Sequence, residues 1–260
     1  MIMADNLARQ LADPDALKQV NSEELSARLE PFDSYWQAPD DIESGYGKFA
    51  AYYRNNYLRH LPADRHAHIL VISCGPGYLV EVLRQEGYDN VVGIDSDPGK
   101  IEFAHKRDLP CKVARGFEYL QESDALYDVI IPEQELNHLT MAETIPFLRL
   151  VRTRLKPNGR VIAYAMNGAN PLVGSENLSH NIDHFYTLTE YSFNQVLEMT
   201  GFRNISVQPL KIYVFWKNPA NYVGLFATWF MESIMRVIFV LYGKKVKVLS
   251  KKLMAIADAG

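Results

Sequence analysis

Between residues 67 and 210, short apolar runs alternate with amphipathic segments, and this alternation limits the fold more than any other feature of the chain. AHILVI (67–72), NVVGID (90–95), YDVIIP (127–132) and RVIAYA (160–165) are strand-like runs. YLVEVLRQEG (78–87), DPGKIEFAHKR (97–107), MAETIPFLRLVRTRL (141–155) and SFNQVLEMTGF (192–202) carry helical spacing between and after them. KPNG (156–159) breaks the third helix, Gly201 ends the fourth, and ISVQPLKIYVF (205–215) supplies the last strands. Nearly continuous apolar strands separated by helices imply a parallel sheet covered on both faces. The expected class is α/β, a Rossmann-like, doubly wound, mostly parallel sheet, in which ligands bind beyond the carboxyl ends of the strands.

The first strand–loop–helix unit carries the chemistry. Cys74-Gly75-Pro76-Gly77 joins strand to helix. Glycines there let the backbone approach a ligand closely and leave helix N–H groups facing it. About 20 residues on, the second strand ends in Gly93-Ile94-Asp95, and an acid at that place can bind both hydroxyls of a ribose. Together the two features point to a nucleoside ligand. The plainer reading is a tight turn, with Asp95 capping the following helix. Val80 stands at the third glycine position of GxGxxG and no GxxxxGK[ST] occurs, which disfavours a nicotinamide cofactor and a nucleoside triphosphate.

ILVISCGPGYLVEVL, GYDNVVGIDSDPGKIEFA, FEYLQESDALYDVII, NHLTMAETIPFLRLVRTRLKPNGRVI and HFYTLTEYSFNQVLEMTGF resemble, in order, the motifs of class I S-adenosylmethionine-dependent methyltransferases. The resemblance covers roughly residues 46–210. Within that class it is similar to bacterial enzymes of surface-polysaccharide and O-antigen pathways. It implies S-adenosylmethionine as cofactor, with Gly75 and Gly77 along its methionine part, Asp95 on the ribose, and Gly116 and Phe117 bordering the adenine. Ser73, Cys74, Ser96, Glu133 and Gln134 complete the implied cofactor site. The departures are also informative. Val71 stands where an acid usually follows the first strand, Ser73 replaces the loop's first glycine, and Arg115 replaces the acid that reaches the adenine. Gln134 and Asn137 replace two further acids, and Phe185 a glutamate. Each lost charged hydrogen bond would weaken a cationic cofactor by roughly 1.5–3 kcal/mol, although Glu133 and Glu135 flank the altered position.

His138 and His184 are the candidate bases, since O-methylation must remove a hydroxyl proton near neutral pH. Each is equally readable as a satisfied structural histidine. Asn167, Gly168, Asn170 and Pro171 form a loop which, by the resemblance, borders the acceptor; they are also ordinary turn residues. No His–carboxylate cluster has metal-ligand spacing, so no metal is expected. Cys74 and Cys111, the two cysteines, are too few for a secreted disulfide framework and fit a reducing compartment. The opening MIMADNLARQ has no signal-like apolar core.

Three segments are expected: an N-terminal helical cap (1–60), the Rossmann-like domain (61–215) and a C-terminal amphipathic, basic helical extension (216–260). In the first, Asn21 or Ser22 caps a short helix, FDSYWQAPDD is turn-rich, and Phe49, Tyr52, Tyr53 and Tyr57 have helical spacing. An amphipathic helix covering one sheet face accounts for those aromatics; the sharper alternative has Tyr46 closing over a ligand. In the last segment, Thr228, Glu232 and Arg236 form one polar stripe on an otherwise apolar helix, followed by Lys244, Lys245, Lys247, Lys251 and Lys252. Residues 211–260 hold eight Lys and Arg against Glu232 and Asp258, a net of +6, which leaves −10 for residues 1–210 of a chain totalling −4. The acidic total disfavours nucleic acid. The helix, over 222–252, fits an anionic inner-membrane surface, with packing on the domain or a homodimer partner as the alternative and a spanning helix less favoured. Two functions follow: a cytoplasmic, surface-associated enzyme methylating an oxygen of a glycan or lipid-linked saccharide, or a catalytically silent module of the same fold.

Overall fold

The computed structural model describes residues 39–133, 135–179, 184–212 and 219–260. The helix expected at 22–30, most of the turn-rich 32–41, Gln134 and the end of 205–215 lie outside the described residues.

Seven strands form one sheet in the order β3-β2-β1-β4-β5-β7-β6. They are β1 (Ile69–Ile72), β2 (Val91–Asp95), β3 (Cys111–Val113), β4 (Tyr127–Pro132), β5 (Leu155–Met166), β6 (Arg203–Pro209) and β7 (Lys252–Asp258). β1 to β5 pair in parallel, as the apolar runs of β1, β2, β4 and β5 imply, and β7 runs antiparallel to both β5 and β6. The helices are α1 (Pro39–Asn56), α2 (Tyr78–Gln85), α3 (Pro98–Lys106), α4 (Gly116–Glu122), α5 (Met141–Thr153), α6 (Gly174–Ser179), α7 (Glu190–Met199) and α8 (Ala220–Leu241).

The alternation sets the layers. One face of the sheet packs Ile72, Ile130, Phe147 and Phe193 under α4, α5 and α7. The other packs Val71, Leu83, Ile131 and Met254 under α1, α2 and α3. Local signals place the helix starts. Thr140 and Glu143 form a reciprocal capping box on α5, and Thr189 does the same with Ser192 on α7. Asp97 caps α3, its carboxylate accepting from the Gly99 and Lys100 N–H groups. Asp95 is therefore not the cap, and the plainer reading of that acid fails.

Two elements differ from the sequence expectation. KPNG does not separate helix from strand: it lies inside β5 as an irregularity, with Asn158 at φ +65° and the β4 register shifted across it. Residues 252–258, expected at the end of a helical extension, instead form β7, inserted in the sheet between β5 and β6. Lys252 thus belongs to the sheet and is half-buried, with its ammonium over the Tyr164 ring. Its neighbours KLMAIAD are apolar on both sides because both sheet faces are covered.

Candidate cofactor and acceptor site

The strand ends gather the candidate residues. The loop from Ser73 to Gly77 leaves β1 with Ser73 at φ +54°, Gly75 at +55° and Gly77 at +87°. All three are left-handed, the region glycine enters without strain. A Cβ on Gly77 would lie 2.9 Å from Leu109, whereas one on Gly75 would meet only open space. Serine at 73 therefore bears a strain of roughly 1–2 kcal/mol. Its hydroxyl donates to Glu135, an interaction glycine could not make. Cys74 is buried, and its thiol donates to the Gly75 carbonyl at 3.5 Å. The Asp95 carboxylate, at the end of β2, accepts from the Gly75 N–H at 2.8 Å and the Asp97 N–H at 2.9 Å. It links the glycine loop to the second strand, where Ser96 is half-buried.

Three carboxylates converge on this edge. Asp95, Glu133 and Glu135 are 8%, 5% and 5% exposed. Burial raises the pKa of each. Glu133 reaches about 7, although Tyr53, which donates to it, and Lys252 pull the other way. Glu135 is steadied by Ser73 and by His138. Its Oε1 would stand 3.2 Å from a Cβ on Gly116, which ties it to the start of α4. Phe117 turns inward and packs edge-on against Phe147 at 5.2 Å, so Gly116 and Phe117 can offer a ligand their backbone rather than an aromatic face. Gln134 lies outside the described residues.

α1 closes the loop from above. Tyr46 donates to the Pro76 carbonyl at 2.6 Å and Tyr78 to the Ile42 carbonyl at 2.9 Å. The Tyr46 and Tyr78 rings meet edge-on at 4.8 Å, and Arg107 lies 4.0 Å over Tyr46. Tyr53 and Tyr57 are buried beneath the helix, as their spacing implied, while Phe49 remains 41% exposed. The sequence offered Tyr46 as the closing tyrosine; it fastens α1 onto the glycine loop, and Tyr53 is the one that reaches a carboxylate.

The two histidines come together. His138 ends a 3-10 turn (Leu136–His138) and lies 5.1 Å, ring to ring, from His184. The Phe185 N–H donates to the Asn137 carbonyl, which draws the two segments together. Asn137 is buried, and its Oδ1 has no hydrogen-bond partner among the described residues. The loop after β5, expected either to border the acceptor or to be an ordinary turn, has a structural part. Asn167 donates to the Val248 and Ser250 carbonyls and Asn170 to that of Leu249, so both side chains tie down the segment leading into β7. Among the described residues no group of three or more His, Cys, Asp or Glu side chains is placed to hold a metal ion.

Residues 69–159 match a family model described as a methyltransferase domain. That match covers about a third of the chain, and the sheet order with an antiparallel seventh strand is that of the class I methyltransferase fold. No curated protein matches the chain. Among solved structures, a SAM-dependent methyltransferase from Archaeoglobus fulgidus is similar at 18% identity and TM-score 0.59, covering 84% of this chain and 94% of that one. A chain in the complex of the Haloferax volcanii Trm112 methyltransferase activator with a putative methyltransferase gives 12% identity, TM-score 0.63, and 86% and 96% coverage. Phosphoethanolamine N-methyltransferase 2 of Haemonchus contortus gives 16% identity, TM-score 0.60, and 93% and 60% coverage. At these identities the likeness is one of fold.

Proposed function

We propose that the chain transfers a methyl group from S-adenosylmethionine to an oxygen of a glycan or lipid-linked saccharide. The observation that carries the cofactor half is the convergence of Asp95, Glu133 and Glu135 around a left-handed glycine loop. The residues fit the cofactor. Gly75 leaves room for close approach, Asp95 stands at the strand end suited to a ribose, and the carboxylates gathered at this edge, once ionised, complement a cation. The acids missing at Val71, Arg115 and Gln134 favour a silent module; Glu133 and Glu135, both buried at this edge, support turnover instead.

When bound, the cofactor supplies an electrophilic methyl group on a sulfonium. The chain's own part is to hold the acceptor hydroxyl in line with that methyl group and to accept its proton. His138 or His184 fills that role, with Glu135 stabilising the imidazolium of His138. Tyr53 and Glu133 provide a second proton-accepting pair on the α1 side, one that the sequence reading did not single out for catalysis. The acceptor class rests on the resemblance of NGANP and HFYTLTE to polysaccharide-pathway enzymes. Incubation with methyl-labelled S-adenosylmethionine and a lipid-linked saccharide fraction tests it: label should enter the saccharide. Alanine at the true base should cut turnover by roughly 10²–10⁴-fold with cofactor affinity nearly intact. Label entering protein or small molecules instead would overturn the acceptor assignment.

A further inference from the structure

β6 and β7 are antiparallel neighbours, a pair that a two-residue hairpin suffices to join. Here 42 residues, 210–251, stand between Pro209 and Lys252. α8 occupies the middle of that insertion, and Met235 is its one buried residue. Twelve large apolar side chains of this 22-residue helix are exposed. At about 100° per residue, Phe226, Trp229, Phe230, Ile234, Val237 and Leu241 fall on one half of the helix. Thr228, Glu232 and Arg236 fall on the other, the last two 3.7 Å apart as an ion pair. Ser233 returns its hydroxyl to the Trp229 carbonyl, so the apolar half carries little unsatisfied polarity. An apolar face this large marks a surface that something covers.

Charge identifies the occupant. Lys244, Lys245 and Lys247 follow the helix directly and are exposed, in a segment of net +6 on an otherwise acidic chain. A second copy of the segment would set like charges together, whereas an anionic bilayer complements both the lysines and the aromatic face. The helix is about 33 Å long, enough to cross the hydrocarbon, but the sheet argues against crossing. The Leu210 N–H donates to the Lys252 carbonyl at 3.1 Å, so the insertion leaves and rejoins the same sheet edge. A single crossing would strand one end of α8 on the far side, and the non-helical stretch 210–219 or 242–251 would have to bring the chain back through lipid.

We infer that α8, with Lys244, Lys245 and Lys247, is an in-plane docking element for an anionic lipid surface. Its position gives it a use. The strap after α8 is tied to Asn167 and Asn170 at the end of β5, and Lys252 opens β7 near Glu133. Docking therefore brings the strand-end edge toward the lipid. The consequence that a lipid-borne acceptor is taken from that surface rests on the proposed activity; the docking does not.

Co-sedimentation of the full chain with vesicles of phosphatidylcholine alone, or mixed with phosphatidylglycerol, tests this. The chain should pellet with the mixed vesicles and several-fold less with the neutral ones. Salt should weaken binding without abolishing it, because headgroup attraction is screened within about 8 Å at physiological ionic strength while the apolar face still inserts. Trp229→Asp with Phe230→Asp should abolish pelleting, and Lys244→Glu with Lys245→Glu should lower it several-fold. Both variants should keep wild-type Tm and affinity for S-adenosylhomocysteine, which separates lost docking from lost folding. Equal binding to both vesicles, or none, overturns the inference. So does a dimer that the Asp variant makes monomeric, or a chain that resists alkaline extraction from cell membranes. Loss of cofactor binding with intact docking would sink the proposed activity instead.

Discussion

Glu133 offers the sharpest link between structure and binding. Its carboxyl sits at the end of β4, 5% exposed, and burial raises its pKa to about 7. In the ligand-free protein it is therefore half protonated near neutrality. A sulfonium bound at this edge favours the ionised form, so below pH 7 binding must expel a proton. If one proton is displaced, affinity changes by about tenfold between pH 6 and pH 8, rising with pH and levelling above the pKa. S-adenosylhomocysteine, whose sulfur is neutral, should show a much flatter profile. The folded protein's own stability runs the other way. A carboxyl raised in the folded state contributes stability that is full below the ordinary carboxylate pKa and is lost as pH rises through 7. The most that Glu133 alone can cost is about 3 kcal/mol. Glu133→Gln should remove both trends: calorimetric affinity for S-adenosylmethionine becomes flat across pH 6–8, and Tm no longer falls across that window. A variant that keeps the wild-type slope would show that Glu133 is not the titrating group. Equal slopes for the two ligands would show that it does not sense the sulfonium.

Ser73→Ala keeps the left-handed strain and removes the hydroxyl from buried Glu135, so it should destabilise by about 1–3 kcal/mol. Ser73→Gly relieves the strain and should sit about 1 kcal/mol above Ser73→Ala in chemical denaturation; the reverse order would refute the strain assignment. Asn167→Ala strips the hydrogen bonds to the Val248 and Ser250 carbonyls. It should cost about 2–3 kcal/mol and speed amide exchange across the strap and the start of β7, and unchanged exchange there would contradict the tie.

How much the sequence disclosed follows from which signals are local. Parallel strands buried on both faces write themselves as apolar runs, so β1, β2, β4 and β5 were legible, and Gly75, Gly77 and Asp95 stood out by spacing. β7 was not, because KLMAIAD follows a long helix and a lysine cluster, and only its long-range pairing with β5 and β6 makes it a strand. The same pairing moved Lys252 from an expected surface cluster to a half-buried place beside Tyr164. The convergence of Ser73 on Glu135, and of Tyr53 on Glu133, joins residues more than 60 positions apart and leaves no local pattern. The serine where the resembling family has glycine was a signal that could have been followed: at a left-handed position it calls for a compensating partner. Asn167 and Asn170 were legible as turn residues but not as anchors, since their partners lie about 80 positions later.

The central claim is that the glycine loop and Asp95 bind S-adenosylmethionine, and isothermal titration of the wild type and Asp95→Ala tests it most directly. Asp95 also holds the Gly75 and Asp97 N–H groups, so circular dichroism must first show that the variant folds. The wild type should bind, and the folded variant should bind at least tenfold more weakly, in keeping with the roughly 1.5–3 kcal/mol of a hydrogen bond to a charged group. Unchanged affinity in the folded variant, or no binding by the wild type at millimolar cofactor, would contradict the account.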